Sequence, residues 1–122
     1  MENKKLQIAV CSGASNTGEY ADLTARKLMK NGSANMLCLT RFSIDNKFTE
    51  SVKAKGHDIL VLDGCDINCG KIILENAGIK NFKHMITTDF DIIKGKTPVN
   101  EDKVNEIADF ITKAYNNGSI TF

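Results

Sequence analysis

Residues 57–63 read HDILVLD, and within them Ile59, Leu60, Val61 and Leu62 form an unbroken apolar run. A strand that is apolar on both faces needs cover on both, which is the signature of a parallel sheet sandwiched between helices. The chain on either side agrees. Upstream, residues 6–11 (LQIAVC) form another short apolar run ending in the turn-rich stretch 12–18 (SGASNTG). From Glu19 onward, Ala21, Ala25, Leu28 and Met29 recur at helical spacing until Asn31-Gly32 supplies a left-handed stop. Residues 36–40 read as the next strand, and Asp45 can cap a short helix that carries Phe48 and Val52 at i, i+4 and ends by Gly56. Downstream of the central run a helix is expected from about Asp66, with Ile72, Ile73, Leu74 and Ala77 in its body and Gly78 at its end. Residues 82–86 then give a fourth strand closing on Thr87, Thr88 and Asp89. In the last helix Val104, Ile107, Ala108, Ile111, Ala114 and Tyr115 keep the i, i+3, i+4, i+7 rhythm until Asn117-Gly118.

Strand and helix thus alternate four times, which predicts an α/β fold: a small open parallel sheet of four strands with helices on both faces. The expected strand order is 2-1-3-4, a Rossmann-like or flavodoxin-like three-layer sandwich. A chain of 122 residues with 42% hydrophobic content can bury one respectable core, so residues 1–122 read as a single domain. Charges nearly cancel, with 16 Lys plus Arg against 15 Asp plus Glu and no basic block, which argues against nucleic acid as a partner. No apolar run approaches the roughly 18 to 20 residues of a membrane span, and residues 1–5 are polar without the apolar stretch of a signal peptide. These features lead us to expect a soluble, cytoplasmic protein without a membrane partner.

In an open α/β sheet, ligands bind beyond the carboxyl ends of the strands, where the strand order reverses. The chain has four cysteines, and they lie where such a site would be. Cys11 ends the first strand and Cys65 lies just past the third. With Asp66 as cap, Cys69 falls in the first turn of the following helix, and the positive end of the helix dipole should make its thiol unusually acidic. Cys38 lies in the second strand, where Met36, Cys38 and Thr40 share one face, so it is either an inert core residue or a participant. In a reducing cytosol several cysteines more often mean metal or thiol chemistry than disulfides. Four converging thiolates would suit tetrahedral zinc. The spacing Cys65-x-x-x-Cys69 is not the C-x-x-C of zinc ribbons and leaves the ligand set open.

The loop after the first strand has chemistry of its own. Ser12, Gly13, Ser15, Asn16, Thr17 and Gly18 lead into a helix N-terminus, which is either a cradle for a small anion or an ordinary βα loop. A cysteine-phosphatase or arsenate-reductase loop would place Arg six residues beyond Cys11, where this chain has Thr17. The stretch from Asn16 to Glu19 is faintly like a flavodoxin flavin loop, but with no Trp and two Tyr the chain lacks an aromatic clamp. Lys94, Lys96 and Thr97 precede Pro98 and form either a rim over the crevice or a solvated loop. His57 and His84 sit at strand starts, the opposite edge from the site. Asp63 can cap nearby backbone donors or support a metal ligand from behind.

Three blocks, CSGASNTGE (residues 11–19), DGC (63–65) followed by Cys69, and TTDFDIIKGKTPV (87–99), resemble the DGC-domain family in order and spacing. That resemblance implies zinc as cofactor and four chelating cysteines, which carry over to Cys11, Cys38, Cys65 and Cys69; it is what turns Cys38 from a core residue into an expected ligand. The expected function is metal binding by this cluster. The alternative is a thiol-based redox or transfer enzyme in which Cys69 or Cys65 attacks a sulfur or metalloid centre while the 12–18 loop holds an anionic substrate. The sequence shows no general base near the cysteines, and a closed four-thiolate site has no open position for catalysis, so an enzyme is the less favoured reading.

Overall fold

The computed structural model describes residues 5–120, and the polar start of the chain in residues 1–4 lies outside it. Four parallel strands, β1 (Leu6–Val10), β2 (Ala34–Leu37), β3 (Ile59–Asp63) and β4 (Lys83–Ile86), pair in the order β2-β1-β3-β4. The central run of residues 59–62 is buried along its length, as its two apolar faces require. One face packs under α1 (Asn16–Lys30) and α5 (Glu101–Asn116), where Ile8, Val10, Leu60 and Leu62 meet Leu28 and Ile107. On the other face Ile59 and Val61 meet Val52 of α3 (Asn46–Lys55) and Leu74 of α4 (Cys69–Asn76). The fold class, strand order and three layers are those expected. No helix among the described residues is long and apolar enough to cross a membrane.

The caps explain most boundaries. Asp45 accepts from the Phe48 amide at 3.0 Å and so starts α3, and Gly56 ends that helix at φ 62°. Two boundaries depart from the sequence reading. β2 stops at Leu37, because the carbonyls of Cys38, Leu39 and Thr40 accept from Arg41, Phe42 and Ser43 and wind the chain into a short helix, α2 (Arg41–Ile44). Four residues are too few to show helical periodicity in a sequence. Cys38 therefore lies beyond the strand, and strand alternation does not set its direction. The second departure is the start of α4 at Cys69 behind Asn68, with Asp66 outside the helix.

Candidate functional site

Because all four strands run the same way, the segments that leave them gather at one edge. Cys11 directly follows β1 and still donates its amide to Leu62 of β3 at 3.2 Å, which fixes it at the boundary between the two strands. Gly64 then carries the chain from β3 against the start of α1. A Cβ on Gly64 would stand 2.6 Å from the Gly18 nitrogen and 2.8 Å from the Thr17 carbonyl carbon, so only glycine fits. The buried Thr87 hydroxyl seals this approach, 3.0 Å from the Thr17 carbonyl oxygen and 2.9 Å from that of Gly64. Gly64→Ala must push backbone against backbone and is expected to cost about 1–3 kcal/mol. Urea denaturation of the variant checks this.

Asp63, the last residue of β3, is 1% exposed and anchors α4. Its carboxylate accepts from the Gly70 amide at 2.8 Å and the Lys71 amide at 3.1 Å, two donors of the first helical turn. His84 Nε2 completes the set at 2.8 Å from the other side. Val61 pairs with His84 and Asp63 with Ile86, so His84 and Asp63 share a face of the sheet and the imidazole leans toward the carboxyl edge. Sequence reading placed His84 at the far edge; the register brings it within reach.

Anchoring by Asp63 decides the character of Cys69. The expected acidic thiol is not found: although Cys69 is exposed overall, partial desolvation against the protein, followed by the charges of Cys11, Asp63 and Cys65, pushes it above its ordinary value. The helix N-terminus that should have favoured a thiolate is already occupied by a carboxylate. Cys11, Cys65 and Cys69 all stand on the segments that leave β1 and β3 at the carboxyl edge. Cys65 also receives the Lys94 ammonium at 3.4 Å. All four cysteines are free thiols.

Cys38 is set apart. It is exposed, with its sulfur 3.4 Å from Thr40 Oγ1, and that hydroxyl, with the Arg41 amide and guanidinium, draws its thiol below the ordinary value. Both Cys38 and Cys69 are open to solvent, so their reactivity should follow thiolate content. Near neutral pH, iodoacetamide is expected to modify Cys38 several-fold faster than Cys69, read by peptide mass mapping. The reverse order would contradict the electrostatics described here.

The 12–18 loop uses much of its polarity internally. Ser15 Oγ accepts from the Gly18 amide at 3.2 Å as the N-cap of α1 and lies 2.7 Å from Thr17 Oγ1. Ser12 donates to Asp22 at 3.0 Å. Asn16 ties down the 93–97 segment: its amide group donates to the Ile93 and Thr97 carbonyls, and its oxygen accepts from Gly95 at 2.7 Å. The rim expected from Lys94, Lys96 and Thr97 is therefore a strap fastened to α1, and Lys94 is the residue it presents to the thiols. A shallow depression lined by Ser12, Gly13, Ser15 and Asn16 is also lined by Glu19 and Asp22.

The site thus unites Cys11, Cys65 and Cys69 with Asp63 behind them and Lys94 beside them. In kind, these donors fit a thiophilic cation. Among the described residues, no three His, Cys, Asp or Glu side chains stand ready-made around a single ion position, so binding requires the thiols to turn toward one another. A family model described as DGC domain matches residues 7–111. Neither a curated protein nor a solved structure matches the chain.

Proposed function

Because the chain belongs to the DGC-domain family, we propose that it binds a thiophilic metal ion, zinc foremost, at the carboxyl edge of the sheet through Cys11, Cys65 and Cys69. The observation that carries this reading is placement: Cys11 leaves β1 at its boundary with β3, and Cys65 and Cys69 lie in the segment that leaves β3 and opens α4, so three thiols occupy the carboxyl edge of two adjacent strands. Repulsion among thiolates gathered there is relieved when a dication draws the sulfurs together. Zinc would supply a tetrahedral Lewis-acidic centre that favours soft, deprotonated sulfur. Asp63 fixes the helix that brings Cys69, and Lys94 offsets part of the thiolate charge.

Cys38 makes its own local contacts and is left out of this ligand set. In the depression beside the 12–18 loop Asp22 is paired with Arg26 at 2.8 Å, and Glu19 adds a second carboxylate, which does not favour an anion there. The competing reading, a thiol enzyme attacking through Cys69, is weakened by the same raised thiol, since an attacking cysteine needs its thiolate near neutral pH.

Metal analysis of the purified chain tests the proposal. About one equivalent of zinc is expected, lost in Cys65→Ser. Metal-free protein with four readily titrated thiols, even after incubation with zinc, would overturn it.

A further inference from the structure

The loop between Cys65 and Cys69 contains a side chain that neither capping nor packing employs. Asn68 is one of two non-glycine residues with positive φ among those described, at φ 62° and ψ 38°. It occupies the N-cap of α4, yet its side chain makes no capping hydrogen bond, because the Gly70 and Lys71 amides are taken by Asp63. Its Oδ1 is nevertheless shielded from solvent and has no partner. A buried amide oxygen left unpaired is costly, and in a native protein it calls for a ligand, a water or an ion as explanation. The other two such atoms, on Thr24 and Asn105, lie within α1 and α5. Among the described residues, Asn68 is the one of the three that lies in the segment carrying two of the proposed ligands, one residue along the chain from Cys69 and three from Cys65.

We infer that Asn68 is a further residue of the metal site, its Oδ1 serving as an oxygen donor to the ion held by Cys11, Cys65 and Cys69. The inference rests on the metal-binding reading and goes beyond it by assigning selectivity. An oxygen among three sulfurs suits zinc, which is borderline in softness, and contributes little to softer ions such as cadmium, which take their affinity from thiolate. Left-handed backbone at this position also suits the role. Asparagine and aspartate tolerate it better than other side-chain-bearing residues, so the loop can hold the donor there.

Two variants separate the amide from the backbone. Asn68→Gly removes the oxygen and accepts φ 62° without strain, while Asn68→Asp keeps an oxygen in place. Zinc and cadmium affinities of wild type and both variants are measured by chelator competition, alongside the melting temperature of each metal-free chain. Asn68→Gly is expected to bind zinc roughly tenfold or more weakly, less than the loss of a thiolate because a neutral amide oxygen is the weakest of the four donors. Cadmium affinity should hold within about threefold. Asn68→Asp should bind zinc at least as well as wild type, and the metal-free Asn68→Gly chain should melt no lower than wild type. Unchanged zinc affinity in Asn68→Gly, with wild type binding normally, would overturn this inference and leave the metal site standing. Parallel loss of zinc and cadmium, or a lowered melting temperature, would show the amide to be structural and also overturn it. Failure of the wild type to bind either ion would overturn both readings.

Discussion

Asp63→Ala is expected to destabilise the chain by about 3–5 kcal/mol, since three donors lose their acceptor at about 1–3 kcal/mol each, most for the buried Gly70 amide. The carboxylate is 1% exposed and serves three donors, the Gly70 and Lys71 amides and His84 Nε2. Alanine leaves all three without that acceptor; the Gly70 amide is buried and bears its full desolvation cost, while the part-buried Lys71 amide and His84 ring bear less. Gly70 packs so tightly on Asp63 that a Cβ there would stand 2.7 Å from Oδ1. For a domain whose total stability is on the order of 5–15 kcal/mol, such a loss is a large share, and a fall of roughly 15 °C or more in melting temperature should accompany it. Asp63→Asn keeps the shape and one acceptor but turns an NH₂ toward a donor, so it should fall between the two. Urea and thermal unfolding of both variants check the order, and an Asp63→Ala chain as stable as wild type would remove the anchor from the account.

Cys69→Ser should lower zinc affinity about a hundred-fold or more. Structural zinc sites bind with about 10–16 kcal/mol, so each of four ligands contributes about 2.5–4 kcal/mol on average. A loss of that size corresponds to roughly 60- to 700-fold in dissociation constant. Cys65→Ser and Cys11→Ser should behave alike, because each removes one member of the same thiol group. Cys38→Ser should change zinc affinity by less than about tenfold, since its sulfur contacts Thr40 and its surroundings are those of the turn into α2. The contrast among four chemically identical substitutions separates a three-thiol site from the four-thiol site that the family resemblance implies.

Much of this was legible in the sequence because it depends on local pattern. The apolar run at residues 59–62 required cover on both faces, and the alternation around it left few topologies, so the sheet order and the shared edge of Cys11, Cys65 and Cys69 followed. What escaped depends on contacts between segments. Asp63 caps a helix that begins six residues later, and this both displaced the cap expected at Asp66 and reversed the expected acidity of Cys69. His84 reached the site through the register of β4 against β3, which the residues alone do not specify. Lys94 came to Cys65 because Asn16 fastens the strap at a separation of nearly 80 residues. The burial of the unpartnered Asn68 oxygen depends on the packing of neighbouring segments and leaves no trace in the local pattern. Cys38 was placed by parity in a strand that ends one residue before it.

The most direct test of the central claim is a cadmium titration of the reduced chain, following the ultraviolet thiolate-to-metal charge-transfer band in wild type and in each single Cys→Ser variant. Saturation is expected at one ion per chain, with an intensity matching three thiolates. That band should be unchanged in Cys38→Ser and lost or strongly weakened in Cys11→Ser, Cys65→Ser and Cys69→Ser. A four-thiolate intensity that falls equally in all four variants, or no band at all, would contradict it.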